Sequence, residues 1–446
     1  MRWTRFDTVT YLTLWLAFLY GISARQVVPG FGALGSPAML IALPSLLIWA
    51  GGWVMPRSGL DRGRHPIRAP LLIYFTYLII SFGVTGTRPI TGLESTQSIR
   101  ALLTGAAMTG IALLVADGVR DQARLTALLR RVVIAATFVG IIGILQFITG
   151  DPLRVMLPGL RWNADAMSGI ELRGAFNRPL STTLHPIEFS AVTAGLLPLA
   201  IHFALYSKNT HARRNFGLAA AILAVAIPIA VSRTGVVSLV VAMAVLAMGW
   251  SWRRRLNALL IGMAAVPVIW AAIPGIVGTM IGLFSDTDDD ASIQARIRRQ
   301  PAIMALIRER PWLGLGNGSW SVDDYFLIDN QIFVTTLEMG FVGLALTIFL
   351  LLLGAGTAAA VRGLPRVDEA TAHLALAITA SIAGLAITIV TFDAFFYRIL
   401  TGTLFLLIGA AGALWRMHGG SEHLSERLHR GSRRWEDRRL NTDPGG

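Results

Sequence analysis

Long apolar stretches separated by short polar segments recur along the chain, from Tyr11 to Trp415. A helix needs roughly 20 predominantly apolar residues to cross the hydrocarbon core of a bilayer. The segments close to this length are 8–24, 35–55, 69–85, 100–117, 132–149, 186–205, 216–231, 235–250, 257–283, 331–354, 372–392 and 398–415. The pattern predicts an all-α polytopic membrane protein with about twelve transmembrane helices.

Basic residues concentrate in alternate loops, which sets the expected orientation. Arg2 and Arg5 precede the first apolar segment, which lacks a cleavage site of small residues, so we expect it to be retained as a span. If both termini are cytoplasmic, one side carries Arg57, Arg62, Arg64, Arg68, Arg120, Arg124, Arg130, Arg131, Lys208, Arg213, Arg214, Arg253–Arg255, Arg362, Arg366 and the tail. The net charge of +13 then reflects membrane anchoring, and no nucleic-acid partner is expected.

The domain organisation that follows is one transmembrane domain, residues 1–418, and a basic cytoplasmic tail, residues 419–446. Two long loops, 150–184 and 285–330, are expected on the outer side, the second of them before the tenth span. Loops of this length are functional or disordered, and the aromatic and apolar residues in these two favour order. The chain has no cysteine, which excludes disulfides, thiol catalysis and thiolate metal sites. No phosphate-binding loop or histidine metal motif is present, so we expect no cofactor and no metal.

Arg233 is the charged residue that membrane anchoring explains least. Residues 232–235 separate the apolar runs 216–231 and 236–250. The two runs together are too long for one span and each alone is slightly short, so the turn between them is expected at or just below a membrane surface. An arginine there costs a few kcal/mol unless it meets a polar cavity or an anion. The sequence therefore predicts an anionic partner for Arg233.

The first outer loop carries basic residues on the side where they are unusual, namely Arg154, Arg161, Arg173 and Arg178. It leads into the next span through His185 and Glu188, which are expected one helical turn apart on a shared face. Glu188 near a helix N-terminus complements the helix dipole, and His185 before a proline has the position of a cap. Structural and functional roles are both open for this pair.

The second outer loop begins with an acidic segment, 286–290, that lacks the glycine and the distal glutamate of a calcium loop and is expected to be a solvated linker. Residues 292–310 indicate one or two helices interrupted at Pro301, with Arg296 and Arg299 on one face. The glycine-rich turn 311–318 either lets the backbone approach a ligand or returns the chain to the membrane.

Asp329, at the end of this loop, is the sharpest candidate for proton transfer. A carboxylate at a boundary between water and membrane can become more basic through desolvation. The alternative is an N-cap on the following span. Asn330 follows directly.

Three segments resemble the O-antigen ligase and O-antigen polymerase superfamily of bacterial membrane glycosyltransferases. Each is similar to a family motif, and they occur in the family's order: Arg173-Gly174-Ala175-Phe176 through Pro179 to His185-Pro186-Ile187-Glu188-Phe189; then Ser232-Arg233; then Arg296, Pro311-Trp312-Leu313-Gly314-Leu315-Gly316, Asp329-Asn330 and Glu338-Met339-Gly340-Phe341-Val342-Gly343. The resemblance covers residues 173–343. Asp329 stands where the ligase pattern has histidine, which tilts the interpretation towards a polymerase without deciding it.

The resemblance implies a GT-C-like fold in the bacterial inner membrane and a metal-independent, inverting transfer of polysaccharide repeat units on the outer face. The donor would be a glycan linked to polyprenyl diphosphate, such as undecaprenyl diphosphate, and the acceptor a glycan or a lipid. Arg233 and Arg296 would stabilise the departing diphosphate, and Asp329 would accept the proton. Substrate-binding roles are expected for Arg173, Arg178, His185, Glu188 and Asn330.

Two other classes of protein remain open. A transporter or flippase of an anionic substrate would also place arginines near the membrane, but it predicts repeat symmetry, which the sequence does not show. A scaffold in a cell-envelope complex is favoured by the basic tail alone.

Overall fold

The computed structural model describes residues 7–55, 59–153, 156–162, 170–285, 291–322, 324–365 and 367–419. The acidic segment 286–290, Arg154 and the basic tail from residue 420 lie outside the described residues. The fold is all-α, as the sequence predicts. Its helices are α1 (Thr8–Gly21), α2 (Pro37–Ala42), α3 (Ser45–Val54), α4 (Arg68–Thr85), α5 (Gly92–Gly118), α6 (Gln122–Thr149), α7 (Pro186–Tyr206), α8 (Thr210–Ile229), α9 (Arg233–Met248), α10 (Trp252–Ala272), α11 (Ile276–Ser285), α12 (Ala291–Glu309), α13 (Gln331–Val361), α14 (Glu369–Ala386) and α15 (Arg398–His418).

The chain is a multi-pass membrane protein. Within the described ranges, ten helical segments are long and apolar enough to cross a membrane, with α2–α3 counted as one segment. All twelve predicted segments fall on helices, but α1 and α9 are shorter than a full span, with 14 and 16 residues. At 1.5 Å per residue, α9 reaches about 24 Å. The helix that begins with Arg233 is therefore too short to cross a typical hydrocarbon core of about 30 Å unless the bilayer thins locally or one helix end is buried in the protein.

Prolines divide two of the predicted apolar segments, whereas the helix predicted at 292–310 continues through its proline. Pro44 separates α2 from α3. The predicted span 257–283 is two helices, α10 and α11, because Pro274 has no N–H and Gly275 adopts a φ of +89°. The interruption predicted at Pro301 is wrong, since α12 continues through it.

The core of the bundle is formed by α7, α14 and α15, which are the most buried helices. Small residues let these helices approach their neighbours. Gly195 of α7 lies against Leu385 of α14, and Gly409 of α15 lies against the backbone of Ala112 in α5. The first long loop leads into α7, one of these central helices, and the second leads into α13, which packs against α14 and α15. We call the side that carries these loops the loop side.

Two short antiparallel strand pairs organise the first long loop. The sequence predicted the loop but not these strands. β1 (Gln26–Val27) pairs with β2 (Arg161–Trp162), and β3 (Glu171–Arg173) pairs with β4 (Phe176–Arg178). Gly174 begins the turn of the second hairpin with a φ of +60°, which a tight hairpin turn requires.

The second loop returns to the membrane by docking into a break in α13. Gly340 interrupts this helix with a φ of +66°. The N–H groups of Leu315 and Gly316 donate to the exposed carbonyls of Leu337 and Glu338, at 2.9 and 2.8 Å. The glycine-rich turn 311–318 therefore approaches a helix closely, as its interpretation as a turn that returns the chain to the membrane predicts.

Gly340→Ala tests this docking. An added Cβ would come within 2.1 Å of the carbonyl oxygen of Trp312, and the left-handed backbone adds strain of its own. We expect the variant to lose at least about 2 kcal/mol of stability, measured as a fall of the thermal unfolding midpoint in detergent. Gly356→Ala, in the same helix and with open space around the added Cβ, is the control. Equal midpoints for the two variants would contradict the docking.

Candidate active site on the loop side

The β3–β4 hairpin brings two predicted arginines to the turn between α8 and α9. Its register places Glu171 opposite Arg178, and Arg178 Nη1 donates to Glu171 Oε2 at 2.8 Å. Arg178 Nε also donates to the carbonyl of Ala230 at 3.3 Å, and Arg173 Nη1 to that of Val231 at 3.5 Å. Arg178 is thus held in a buried ion pair, whereas Arg173 lies partly exposed beside it.

Arg233 is the first residue of α9 and lies directly after this turn. Val231 has a φ of +46°, which is strained for a β-branched residue and gives the turn its sharp shape. Arg233 Nε donates to the carbonyl of Leu283 in α11. The structure therefore brings Arg173, Arg178 and Arg233 to one turn, at the uncovered N–H groups of a helix start, where anions bind favourably.

Arg296 and Asp329 form an ion pair from the second loop, with 3.5 Å between Nη2 and Oδ2. Both side chains remain about one-third exposed, at 38% and 33%. Arg299, one turn further along α12, donates to the carbonyl of Leu327 at 3.0 Å. The prediction that Arg296 and Arg299 share a face is confirmed, since both contact residues 327–329.

Asn330 is the N-cap of α13, so the interpretation of Asp329 as the cap is wrong. Asn330 Oδ1 accepts from the N–H groups of Ile332 and Phe333, at 2.9 and 3.3 Å. Its Nδ2 donates to the carbonyl of Val390 at 2.9 Å. The substrate-binding role of Asn330 stays a prediction, and these contacts favour a structural one. The Asp329 carboxylate is left facing Arg296.

Residues 390–393, between α14 and α15, connect the arginines at the turn between α8 and α9 with the Arg296–Asp329 pair. The hydroxyl of Thr234, next to Arg233, bonds to that of Thr391 at 3.1 Å. Val390 accepts from Asn330 as described. One short segment therefore contacts both the Ser-Arg motif and the Asp329-Asn330 motif.

Asp393 is a carboxyl group of this site that the sequence did not reveal. Burial, together with the carboxylates of Glu338 and Asp329, raises the pKa of Asp393 to about 8. At neutral pH this group is protonated while Asp329 is paired with Arg296. Nothing in the local sequence marks this residue, because it follows an apolar segment as an ordinary helix-end aspartate does.

Tyr397 marks the place where the two loops meet. Burial raises the pKa of Tyr397, and the carboxylates of Glu188, Asp393, Asp329 and Glu171 raise it further. Its ring lies 6.3 Å from that of His185. Because Glu171 belongs to the first loop and Asp329 to the second, both loops border the same space.

His185 and Glu188 mainly hold helix ends. His185 Nδ1 accepts from Ile187 N–H at 3.1 Å, which caps α7, and its Nε2 lies 3.8 Å from Glu171. Burial and the nearby Arg178 and Arg25 lower the pKa of His185 to about 4. The ring is therefore neutral at pH 7, with its proton on Nε2, and no free nitrogen remains to act as a base.

Glu188 is fully buried, and both of its oxygens accept backbone N–H groups. Oε2 accepts from Leu184 at 2.9 Å, and Oε1 accepts from Ile399 at 2.9 Å and from Leu400 at 3.3 Å. These bonds tie the start of α7 to the start of α15. The predicted substrate-binding role is untested, and this geometry favours the structural alternative.

Glu188→Gln separates the two roles. An amide keeps one acceptor oxygen and turns its NH₂ group towards a backbone donor, so we expect a loss of about 1–3 kcal/mol of stability with an unchanged KM for the donor. Thermal unfolding and steady-state kinetics check this expectation. A raised KM with an unchanged unfolding midpoint would instead support substrate binding.

Arg233, Arg296 and Asp329 lie within one segment of the chain that matches a known family. Residues 218–348 match the sequence model of a known family, O-antigen ligase. Over this segment the chain is similar to the O-antigen ligase family. This confirms the resemblance to the O-antigen ligase and polymerase family. No curated protein matches the chain.

The matched segment contains Arg233, Arg296 and Asp329, together with the glycine turn and the helix break into which it docks. Arg173 and Arg178 precede this segment, and Asp393 follows it. Arg173 and Arg178 lie on the β3–β4 hairpin, and Asp393 lies between α14 and α15. The match supports a membrane enzyme of the O-antigen ligase or polymerase type, and the candidate site described above extends beyond the matched segment.

Proposed function

We propose that this protein is a metal-independent, inverting glycosyltransferase that polymerises glycan repeat units carried on polyprenyl diphosphate, at the outer face of the cytoplasmic membrane. The observation that carries the proposal is the convergence of Arg173, Arg178 and Arg233 on one turn, joined through residues 390–393 to the Arg296–Asp329 pair. Basic residues on the loop side oppose the usual charge bias, so they call for an anionic substrate.

The arginines are proposed to bind the diphosphate of the donor. A guanidinium group pairs bidentately with phosphate oxygens and keeps its charge. Arg233 and Arg296 keep part of their surface exposed, whereas Arg178 is engaged with Glu171. We therefore assign direct contact to Arg233, Arg296 and Arg173, and assign Arg178 the role of holding the hairpin.

Transfer proceeds by attack of an acceptor hydroxyl on the anomeric carbon of the lipid-linked glycan. A new bond forms between this carbon and the acceptor oxygen, and the bond to the diphosphate oxygen breaks. The leaving polyprenyl diphosphate takes the electron pair, and the arginines stabilise its growing negative charge more than they stabilise the intact donor. That difference lowers the barrier.

Asp329 is proposed to take the proton of the attacking hydroxyl. Donor binding would draw Arg296 towards phosphate, which leaves Asp329 without its partner and makes it a better base. Asp393 keeps its proton at neutral pH, so that it adds no negative charge beside the departing diphosphate. Two carboxyl groups in environments that separate their protonation states are typical of acid–base sites.

Purified protein in liposomes, supplied with lipid-linked repeat units, tests the proposal. We expect a ladder of glycans of increasing length. A single transfer to another lipid would indicate ligation. Movement of unmodified substrate across the bilayer without a change in length would support a transporter and contradict the proposal.

A further inference from the structure

An exposed phenylalanine, Phe396, lies at the edge of the candidate site and has no role in the account above. Residues Ala394–Phe396 form a single 3₁₀ turn between Asp393 and Tyr397. Ala394 is fully buried, whereas Phe396 is 66% exposed. The ring of Phe396 lies 5.4 Å from that of Tyr397, at an angle of 83° to it. The exposed ring therefore adjoins the residue at which the two long loops meet.

The hydroxyl of Tyr397 has no hydrogen-bond partner within the part of the chain that the structure describes. The Tyr397 ring is held by contacts with the rings of Phe396 and His185, at 5.4 and 6.3 Å. A tyrosine hydroxyl that is withdrawn from solvent usually bonds to a partner. The carboxylates of Asp329 and Asp393 lie close enough to act on this hydroxyl electrostatically. It therefore faces the proposed reacting groups and can bond to a substrate.

Gln331, the first residue of α13, holds the backbone around this turn in place. Its N–H donates to the carbonyl of Phe392 at 3.1 Å, and its Oε1 accepts from the N–H of Phe395 at 2.7 Å. On the α15 side, the hydroxyl of Thr401 donates to the carbonyl of Tyr397 at 2.9 Å. Because both helices brace the turn, the two aromatic side chains are presented on a fixed backbone, as a binding site requires.

An exposed aromatic ring beside an unbonded hydroxyl has the chemistry that recognises a sugar. One face of a pyranose ring carries C–H groups, which pack against the negative face of an aromatic ring. The hydroxyl groups of the same sugar form directional hydrogen bonds. Contact with lipid headgroups would use the aromatic ring alone, whereas a sugar uses both the ring of Phe396 and the hydroxyl of Tyr397.

We infer that Phe396 and Tyr397 bind the terminal sugar of the acceptor glycan, with the Phe396 ring stacked on the sugar and the Tyr397 hydroxyl bonded to one of its oxygens. This inference rests on the proposed function and deepens it. The acceptor is favoured over the donor because Tyr397 lies beside Asp329, the proposed base, which must reach the acceptor's hydroxyl. The donor's diphosphate is assigned to Arg233 and Arg296.

Kinetics with a separate acceptor test the inference. The acceptor is a lipid-free oligosaccharide of the repeat unit, labelled with a fluorophore at its reducing end, and the lipid-linked donor is saturating. Phe396→Leu keeps an apolar side chain but removes the aromatic face, and Tyr397→Phe keeps the ring but removes the hydroxyl. We expect each variant to raise the KM for the acceptor about 2- to 10-fold and to leave the KM for the donor unchanged. Phe396→Trp, which restores an aromatic face, should restore the acceptor KM.

Two matched variants control for the loss of a ring or a hydroxyl elsewhere. Phe349→Leu makes the same change at a phenylalanine of α13 that is 51% exposed on a membrane-spanning helix. Tyr206→Phe removes the hydroxyl that donates to Glu369 at 2.6 Å, at the opposite end of α7 from the loop side. Both controls should keep the wild-type KM for the acceptor.

Binding of the same oligosaccharide without donor separates this inference from the proposed function. Saturation-transfer difference NMR on the protein in nanodiscs reports which sugar protons contact it. A signal from the terminal sugar that weakens in both Phe396→Leu and Tyr397→Phe would support the inference even without glycan extension. Extension by the wild type, with an unchanged acceptor KM in both variants, would overturn the inference and leave the proposed function standing. Neither binding nor extension by the wild type would overturn both.

Discussion

Replacing Arg233 by alanine is expected to slow glycan extension by about 10²- to 10³-fold, the effect of removing one donor that stabilises a developing anion. Arg233 lies at the start of α9, where backbone N–H groups and Arg173 also face the turn. The lost interaction belongs mainly to the departing diphosphate, so kcat should fall more than KM rises. Arg233→Lys should recover only part of the rate, because an ammonium group cannot pair bidentately with phosphate. The measurement is the rate of ladder formation in liposomes.

Controls are needed because Arg233 also donates to Leu283. The thermal unfolding midpoint of each variant shows whether the fold survives. Arg298→Ala removes an arginine from the same side of the membrane and should keep the wild-type rate. Wild-type extension by a folded Arg233→Ala protein would refute its assignment to the diphosphate, and the same reasoning applies to Arg296→Ala.

Asp329→Asn and Asp393→Asn are expected to behave in opposite ways. Asp329→Asn removes the proposed base and should lower turnover by about 10²-fold or more at every pH. Asp393→Asn keeps a neutral side chain in place of a protonated carboxyl, so turnover at pH 7 should stay within a few fold of the wild type.

The pH profile makes this contrast sharper. The pKa of Asp393 is raised to about 8, so its carboxyl is neutral below this pH and negative above it. The negative charge opposes the departure of diphosphate, and wild-type turnover should therefore fall as the pH rises through about 8. In Asp393→Asn, turnover should not decrease over this pH range. A rate that instead rises through pH 8, and that Asp393→Asn abolishes, would make Asp393 the base and refute the assignment to Asp329.

The membrane architecture could be predicted from sequence because apolar segment length is a direct consequence of bilayer thickness. Every predicted segment is helical in the structure. The division of 257–283 was missed although Pro274-Gly275 marks it, since the segment was judged by its apolar content. Pro301 was given too much weight, because α12 continues through it.

The candidate site residues also fall into those that the sequence indicated and those that it did not. Arg233 could be singled out because a charge is expensive where it was expected to lie, whereas Arg296 was singled out by the resemblance to a known family. Asn330 caps α13 through local N–H groups, whereas the role of Glu188 depends on a contact with Ile399, far along the chain. Asp393 was missed for a related reason. Its raised pKa arises from burial and from neighbouring carboxylates that no local pattern encodes.

The most direct test of the central claim is the position of the diphosphate in a cryo-EM structure with undecaprenyl diphosphate bound. We predict phosphate oxygens about 2.7–2.9 Å from the guanidinium nitrogens of both Arg233 and Arg296, the distance of a charge-assisted hydrogen bond. A diphosphate bound away from both of these arginines would contradict the account.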